Sequence, residues 1–587
     1  MCGISGIVSK ARVSREDLSP LICSMAHRGP DGSGHYFSEC GRVAFGHNML
    51  SIIDVGLAKQ PMTIEQGEFT ISFNGEIFNS LEIRQTLERD FGEKFDTAKS
   101  DTETVLRLYK HLGISGFDML NGMFAIAIFV RSTNRVILAR DRFGIKPLFY
   151  AKTADCLIFA SETKALIPKT LNIVDCRAIE EYVALGFFPN KATAYRGVNK
   201  LLPGEVGVYN LNSGDFVFHD YRTSERKSEP SLSVENIKTT IRNKLFKAVN
   251  DWQASEWPIA YSLSGGIDST AIAAIASTKS KIDTFSVGFL DQDLQKWNEL
   301  NRSRRISGAL SSNHHEIAIN MEQIGEDIIE ILDILGEPFG GGVTSYFLFK
   351  QMAKKYKVAM LGHGGDEFFG NYSNADRYMK FYNQRKFHFQ KYVRLMYLGA
   401  NRSVDLSALV RFKNFPVDNL NNDGVSCLEE SVFQFGITNE LPNDFLYMTD
   451  LLSSAFGMEA RTPYLDLNFT KFVSDVDHSV RCTPNQYKSL LIESLDGLIP
   501  EFMKNEAKSG FSLPLSLIMR KYMRSDFDAA MSKNKLCQWS FLSEDFFNRV
   551  IEPFKAGSND FIEFIWRIFI LQLWVSRKNP NFTENSG

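Results

Sequence analysis

The alternation of apolar and polar positions changes character along the chain. Up to about residue 200, short apolar runs at 4–8, 69–73, 123–130 and 135–140 are separated by Gly, Asn and Asp, the spacing of antiparallel strands joined by turns. The run at 69–73 reads as a strand ending in the turn pair Asn74-Gly75, and Ser132-Thr133-Asn134 as the turn joining 123–130 to 135–140. Helical periodicity falls between them, at 81–87 and 102–111. Together these predict a layered, antiparallel α+β domain over residues 2–215. A polar stretch without periodicity, 221–233, marks a linker placed at 216–235. Beyond it, apolar runs at 258–263, 284–289, 315–319 and 358–361 alternate with helix-length amphipathic segments. That is the pattern of a parallel α/β sheet, here over a second domain at 236–578. The aromatic, basic region 380–445 reads as helical insertions within it, and residues 579–587 as a polar tail.

Composition sharpens this picture. A chain of 587 residues with 44% hydrophobic content exceeds one core of ordinary size, so two or more domains are expected. A net charge of -3 with interspersed signs argues against nucleic acid as a partner and favours a small molecule. The eight cysteines include no CxxC pair, which fits reduced thiols in the cytoplasm rather than a zinc ribbon or a disulfide framework. No signal peptide is visible at the start. The longest apolar stretches are 123–130, too short for a bilayer, and 561–575, interrupted by Glu563, Arg567 and Gln572; no membrane partner is expected.

Cys2 becomes the first residue once Met1 is removed, and its own α-amine, titrating at about 8, is then a base within reach of the thiol. Alone, a cysteine at this position reads as a small core residue. Its company changes that reading. His27-Arg28-Gly29-Pro30-Asp31-Gly32, Gly46-His47, Asn74-Gly75-Glu76 and Ser100-Asp101 are polar or Gly-rich islands in apolar surroundings. The Asn74 amide can donate to a developing oxyanion, Gly75 permits close backbone approach, and Glu76 with Asp101 can hold an ammonium. The alternative is an Asn-Gly hairpin with solvated carboxylates.

Met-Cys-Gly-Ile-Ser-Gly-Ile at the start, His27-Arg28-Gly29-Pro30-Asp31, Leu50-Ser51-Ile52-Ile53-Asp54, Asn74-Gly75-Glu76-Ile77-Phe78-Asn79 and the run from Arg140 to Tyr150 closely resemble the class II glutamine amidotransferase domain. The resemblance covers nearly all of the first 200 residues. It implies an N-terminal-nucleophile fold, two stacked sheets between helices, that hydrolyses glutamine through a γ-glutamyl thioester on Cys2. It also implies Asn74 and Gly75 as the oxyanion hole, Glu76 and Asp101 around the glutamine α-amino group, and Met49, Leu50, Ser51, Ile52 and Ile53 along the bound glutamine. The family usually places an arginine just before Leu-Ser-Ile, paired with the glutamine α-carboxylate, where this chain has Met49. A thioether cannot replace a guanidinium fork. Either another cation compensates, Arg28 being the nearest by motif, or glutamine binds weakly and free ammonia serves in its place.

Ser264-Gly265-Gly266-Ile267-Asp268-Ser269 follows an apolar run and precedes the helix-like segment 270–277, so backbone N–H groups and a helix N-terminus converge on one anion site. The alternative is a plain strand-to-helix turn. No Walker-type Gly-x-x-x-x-Gly-Lys run is present. The motif resembles the pyrophosphate loop of ATP pyrophosphatases, which split ATP into AMP and pyrophosphate. By that resemblance Ser264, Gly265, Gly266 and Ser269 cradle pyrophosphate, Leu263 and Val287 border the adenosine, and Leu361 and Gly362 complete the ATP site. Asp268 and Asp366, the latter in Gly362-His363-Gly364-Gly365-Asp366-Glu367, would hold Mg²⁺. The segment from Met458 to Asp466, Lys488 and Lys508-Ser509-Gly510-Phe511 then resemble the C-terminal motifs of the asparagine synthetase family. In that family a lysine at the position of Lys508 stabilises developing charge.

Two departures bear on the acceptor. His363 stands where the family carries Glu or Asp, and is read as a base acting near neutral pH. The segment 336–345 lacks the arginine of the family's Thr-Thr-x-Arg element that contacts aspartate; its run Gly340-Gly341-Gly342 suggests a wider pocket. The combined reading is an amidoligase using glutamine, ATP and Mg²⁺, with catalytic Cys2, Asn74, Gly75, His363 and Lys508. Aspartate is the default acceptor and a sugar uronate the alternative. A catalytically silent regulatory or scaffold homologue is the reading of another class. Oligomeric state stays open, a homodimer included.

Overall fold

The computed structural model describes residues 1–52, 59–167, 170, 173–222, 232–289, 292–370, 409–412, 433–481, 488–504 and 513–578. Two six-stranded antiparallel sheets build the first unit. One runs Val198–Lys200 (β10), Phe149–Lys152 (β8), Cys156–Ala160 (β9), Gly3–Ser9 (β1), Val43–Met49 (β3), Gly32–Phe37 (β2). The other runs Phe216–Asp220 (β12), Glu205–Asn210 (β11), Arg135–Arg140 (β7), Gly122–Val130 (β6), Phe69–Ile77 (β5), Met62–Ile64 (β4).

The unbroken apolar run in β6 follows from its position between two layers. Ala125, Ala127 and Phe129 point between the sheets, against Ile4, Phe45 and Leu138. Phe124, Ile126 and Ile128 face the other way, under helices α2 (Ser80–Phe91) and α3 (Asp101–Leu112). Outside the first sheet lie α1 (Arg15–Ser24), α4 (Thr163–Leu166) and α5 (Cys176–Leu185), which completes a helix–sheet–sheet–helix stack.

Two expectations are corrected here. Asn74-Gly75 is no turn: β5 continues through it, with Asn74 opposite Ala125 and Gly75 opposite Phe124 of β6. The glycine answers crowding between strands, since a Cβ there would lie 2.1 Å from the Met123 carbonyl oxygen. The linker also begins later than 216, because residues 216–220 pair with β11 and their aromatic Phe216 packs on Tyr150 and Tyr209. The centre of the expected linker (223–231), most of the expected insertion (371–408 and 413–432) and the tail (579–587) lie outside the described residues.

The second unit is a five-stranded parallel sheet in the order Asn313–Ala318 (β15), Asp283–Gly288 (β14), Ile259–Ser262 (β13), Val358–Met360 (β16), Glu459–Arg461 (β17). Its helices include α6 (Val234–Asp251), α7 (Ile267–Ser277), α8 (Leu300–Leu310), α9 (Ile324–Leu335), α10 (Val343–Met352) and α11 (Gly365–Phe369). Residues 269–276 of α7 are buried throughout, which is why that helix lacks a polar face. Farther on, α12 (Leu446–Ser454) packs between β17 and the first unit.

The two units are joined by buried polar contacts. Arg28 donates to Asp450 at 2.6 Å and Ser454 at 3.1 Å. The Asn121 amide donates to Asp466 at 2.6 Å and its oxygen accepts from the Leu467 N–H at 2.8 Å. Lys200 reaches Asn443 at 2.7 Å. No helix among the described residues is long and apolar enough to cross a membrane.

Candidate functional site

Among the described residues, two cavities of similar size each collect one of the two groups of polar motifs. The first, about 360 Å³, is lined by Cys2, Met49, Leu50, Ser51, Ile52, Gly75, Glu76 and Asp101 from the first unit and by Glu256 and Glu459 from the second. Ile53 lies outside the described residues.

Cys2 precedes β1, where its carbonyl accepts from Arg28 Nε at 3.0 Å and its Sγ points at the Leu50 carbonyl, 3.9 Å away. Burial raises the thiol above its ordinary value. The α-amine of Met1 is buried beside it, and that burial lowers it to about 5. Burial thus disfavours the charged form of an amine at the Met1 position. The Asn74 side chain is fully buried in β5, and neither its Nδ2 nor its Oδ1 has a partner among the described residues. Buried amides are ordinarily satisfied, so an unpaired one is notable; Asn74 itself is not part of the cavity wall, which its strand neighbours Phe73 and Gly75 line.

Asp101 opens α3, where Ser100 caps the helix by accepting from the Glu103 N–H, and its carboxylate accepts from the Ile77 N–H at 3.2 Å. Burial raises Asp101 to about 6, and burial followed by the charge of Asp101 raises Glu76 well above the carboxylate range. Two acids resisting joint ionisation form a receptor for one ammonium, whose arrival restores both charges.

Arg28 does not compensate for Met49. Its guanidinium is wholly buried and committed to the Cys2 carbonyl, Glu162, Ser454 and Asp450. The cavity wall carries residues that sequence reasoning missed: Lys99, Gln60, Glu256 and Glu459. Gln60 pins β5 by a paired contact with the Phe73 backbone, at 3.1 and 2.7 Å. Glu459 belongs to the quoted Glu-Ala-Arg motif, but nothing in that motif says it faces the other domain. Its neighbour Arg461 is fully buried, donating to Glu459 at 2.8 Å and to the Trp252 carbonyl at 2.8 Å, and stands 4.0 Å from Glu76.

The second cavity, about 350 Å³, opens at the C-terminal ends of β13, β14 and β16, where ligands of parallel sheets gather. Ser264, Gly266, Asp268, Ser269, Val287, Leu361, Gly362, His363 and Asp366 line it. The loop holds itself open through Ser269, whose Oγ accepts from the Ser264 N–H at 3.2 Å and lies 3.1 Å from the Ser264 Oγ. Gly265 takes the left-handed region at φ +81°, and Gly266 caps α7 without a side chain, leaving the first N–H groups of the helix facing the cavity. A Cβ on Gly365 would lie 2.2 Å from the Asp268 carboxylate, so two glycine loops close directly on each other. Lys488 bridges the carboxylates of Asp268 and Asp366, the second at 2.5 Å. Burial opposes its charge, but those two acids outweigh it and raise the ammonium above its ordinary value.

Three expectations fail in detail. Leu263 does not border the cavity; it is fully buried in the core, its N–H bonded to the Phe285 carbonyl at 2.8 Å. His363 is no near-neutral base, because burial depresses it to about 4; its Nε2 meets Thr449 Oγ1 at 3.0 Å and its ring stacks on Phe445. The glycine run does not widen a pocket. A Cβ on Gly340 would lie 2.7 Å from the Gly186 carbonyl, and Gly342 has φ +81° ahead of α10, so two of these glycines serve packing and turning. Thr344, Ser345 and Phe445, missed in the sequence, complete the wall, and no Lys or Arg is among its described residues. Lys508 lies outside the described residues.

Comparison with known proteins follows the same division. Residues 1–222 match the family model described as glutamine amidotransferase domain, and residues 240–576 match that described as asparagine synthase. Over 98% of this chain and 96% of the relative, the sequence is 28% identical to asparagine synthetase [glutamine-hydrolyzing] 1 of Bacillus subtilis strain 168. A putative asparagine synthetase [glutamine-hydrolyzing] of Mycobacterium tuberculosis H37Rv is 27% identical over 98% of this chain and 97% of its own. Among solved structures, glutamine phosphoribosylpyrophosphate amidotransferase from B. subtilis aligns at 17% identity over 54% of this chain and 65% of that chain, with a TM-score of 0.29.

Proposed function

The chain belongs to the asparagine synthase family, and from that premise we propose that it is an ATP-dependent amidoligase drawing ammonia from glutamine at Cys2. The observation that carries the proposal is the cavity in which Cys2, Gly75 and the Glu76–Asp101 acid pair stand together, with the unpartnered Asn74 amide buried in the strand directly before Gly75.

After removal of Met1, the Cys2 amine takes the thiol proton and the thiolate attacks the side-chain amide carbon of glutamine. The oxyanion is met by the Asn74 Nδ2 and the Gly75 N–H, while Glu76 and Asp101 hold the substrate ammonium. The C–N bond breaks as the protonated amine returns its proton to the leaving ammonia, and water releases glutamate from the thioester. In the second cavity a carboxylate attacks the α-phosphorus of ATP, pyrophosphate leaving against the N–H groups of the loop 264–269 and of α7. Ammonia then attacks the acyl carbon and AMP departs. Enclosure matters because ammonia in bulk water at neutral pH is mostly ammonium. Mg²⁺ fits Asp268 and Asp366, whose carboxylates already converge on a cation, the Lys488 ammonium; when bound it would neutralise phosphate charge. Aspartate is the family's default acceptor. A bulkier acid such as a sugar uronate is the second reading, favoured by the lack of Lys or Arg among the described residues of that wall to hold a second carboxylate.

The test measures glutamate, pyrophosphate and AMP for the protein and Cys2→Ala, with glutamine or ammonium chloride and a panel of aspartate and uronic acids. Cys2→Ala should lose glutamate release and keep ammonia-dependent pyrophosphate release. Pyrophosphate release with no acid of the panel sinks both acceptor readings, and glutamate release by Cys2→Ala sinks the nucleophile assignment.

A further inference from the structure

A cavity that binds a free amino acid must answer both its charges. This one is provided for the ammonium by Glu76 and Asp101, and Glu459 and Glu256 add further carboxylates to its wall. Among its described lining residues a single side chain is cationic, Lys99. The adjoining segment 53–58, Ile-Asp-Val-Gly-Leu-Ala, supplies no cation by sequence, and Arg28 is consumed at the domain boundary.

Lys99 is exposed and immediately precedes the Ser100 cap of α3. Two positions on, at the first residue of the helix, comes Asp101. The chain thus presents an ammonium and a carboxylate from one turn, the complement of the carboxylate and ammonium that flank the α-carbon of an amino acid. Lys99 has no ion-pair partner among the described residues, so its side chain is available to a ligand. Met49, at the end of β3 on the same cavity, offers only a thioether.

We propose that Lys99 binds the α-carboxylate of glutamine, so that the anchor lies on the turn before α3 instead of on β3. The proposal rests on the reading of this cavity as a glutaminase site. It makes the substrate an amide that keeps a free α-carboxylate, since an ammonium on a flexible stem rewards a point charge nearby rather than a particular side-chain length.

The test uses the full chain and Lys99→Met, with two amides, glutamine and 4-aminobutanamide, which lacks the α-carboxylate. Ammonia-supported pyrophosphate release serves as the folding control. Loss of one charge-assisted contact should raise the KM for glutamine roughly tenfold with little change in kcat. The variant and the unaltered protein should turn over 4-aminobutanamide alike. Adding Met49→Arg to Lys99→Met should restore the glutamine KM. The proposal is overturned if Lys99→Met leaves the glutamine KM within about twofold, or if both amides suffer equally. Failure of the unaltered protein to release glutamate is a different result: it removes the glutaminase reading itself, and the assignment of Lys99 with it.

Discussion

Asp101 and Lys488 are both buried and carry opposite charges, but the surroundings of Asp101 favour its neutral form and those of Lys488 its charged form. Asp101 is a carboxyl raised from 3.8 to about 6 chiefly by burial. The native state therefore keeps its proton up to about pH 6 while the unfolded chain gives it up near 3.8, so between these values the native state binds more protons and stability falls as pH rises. Above pH 6 the ionised acid is fully destabilising. Asp101→Asn should then stabilise the protein at pH 7.5, on the order of 1 kcal/mol by denaturant unfolding, while raising the KM for glutamine; the gain should vanish near pH 3.5. An equal gain at both pH values would show that burial of the charge is not the cause. Lys488 is the reverse case, a buried ammonium held by Asp268 and Asp366 in a backbone with φ +55° that side chains avoid. Lys488→Met leaves two acids facing each other without their cation, so it should destabilise by about 3 kcal/mol and remove ATP-dependent pyrophosphate release. Glutamate release should persist, and its loss would place Lys488 in the shared scaffold instead.

Strands and loops show how far periodicity reaches. The runs at 123–130 and 135–140 form β6 and β7, and those at 258–263, 284–289, 315–319 and 358–361 form β13 to β16; all but the edge strand β15, which is half-buried to exposed, are largely buried by their own layer, and their pattern records that burial. Asn74-Gly75 was unreadable in the same terms. An Asn-Gly pair carries turn chemistry whether or not the chain turns, and only the pairing with β6 shows that the glycine yields to the Met123 carbonyl. Likewise Gly340-Gly341-Gly342 reads as open space, whereas Gly340 meets Gly186 of the other unit. Cys2, Asn74, Glu76 and Asp101 could be gathered from motifs, but Glu459 could not, since its exposure to the first cavity depends on docking. The element-level prediction concerns β5. Gly75→Ala forces β5 and β6 apart at the position proposed to supply the oxyanion donor, which should reduce glutamate release at least 100-fold. Ammonia-dependent pyrophosphate release should stay within a few-fold; equal loss of both would mean that the strand supports the whole molecule rather than the first site.

At the scale of the molecule, the two cavities share structural members. β17 lends Glu459 to the first cavity and pairs with β16, whose C-terminal end leads into the loop of Gly362 and His363 on the second. The docking that aligns them joins apolar side chains of both units, Tyr182 and Phe187 with Phe339 and Trp566 among them, and adds polar groups far apart in sequence: Arg28 with Asp450, and Asn121 with Asp466 and Leu467. Buried hydrogen bonds of this kind add little net stability when made and cost about 1–3 kcal/mol for each group left unpaired. Their removal should therefore loosen the interface more than either core. Asn121→Ala takes one donor from the Asp466 carboxylate, which keeps Trp252 Nε1 at 3.3 Å and the Asn468 and Phe469 N–H groups, and strands the Leu467 N–H on the second unit's side while leaving every residue of both cavity walls in place. Heating should then resolve two calorimetric transitions where the unaltered protein shows more nearly one, and glutamate should be released in excess of AMP as ammonia escapes through the loosened boundary. If the variant melts in one shifted transition with glutamate and AMP still matched, the Asn121 contacts are part of the ordinary core and the coupling of the two sites resides elsewhere along the boundary, with Arg28 and Asp450 as the next pair to separate.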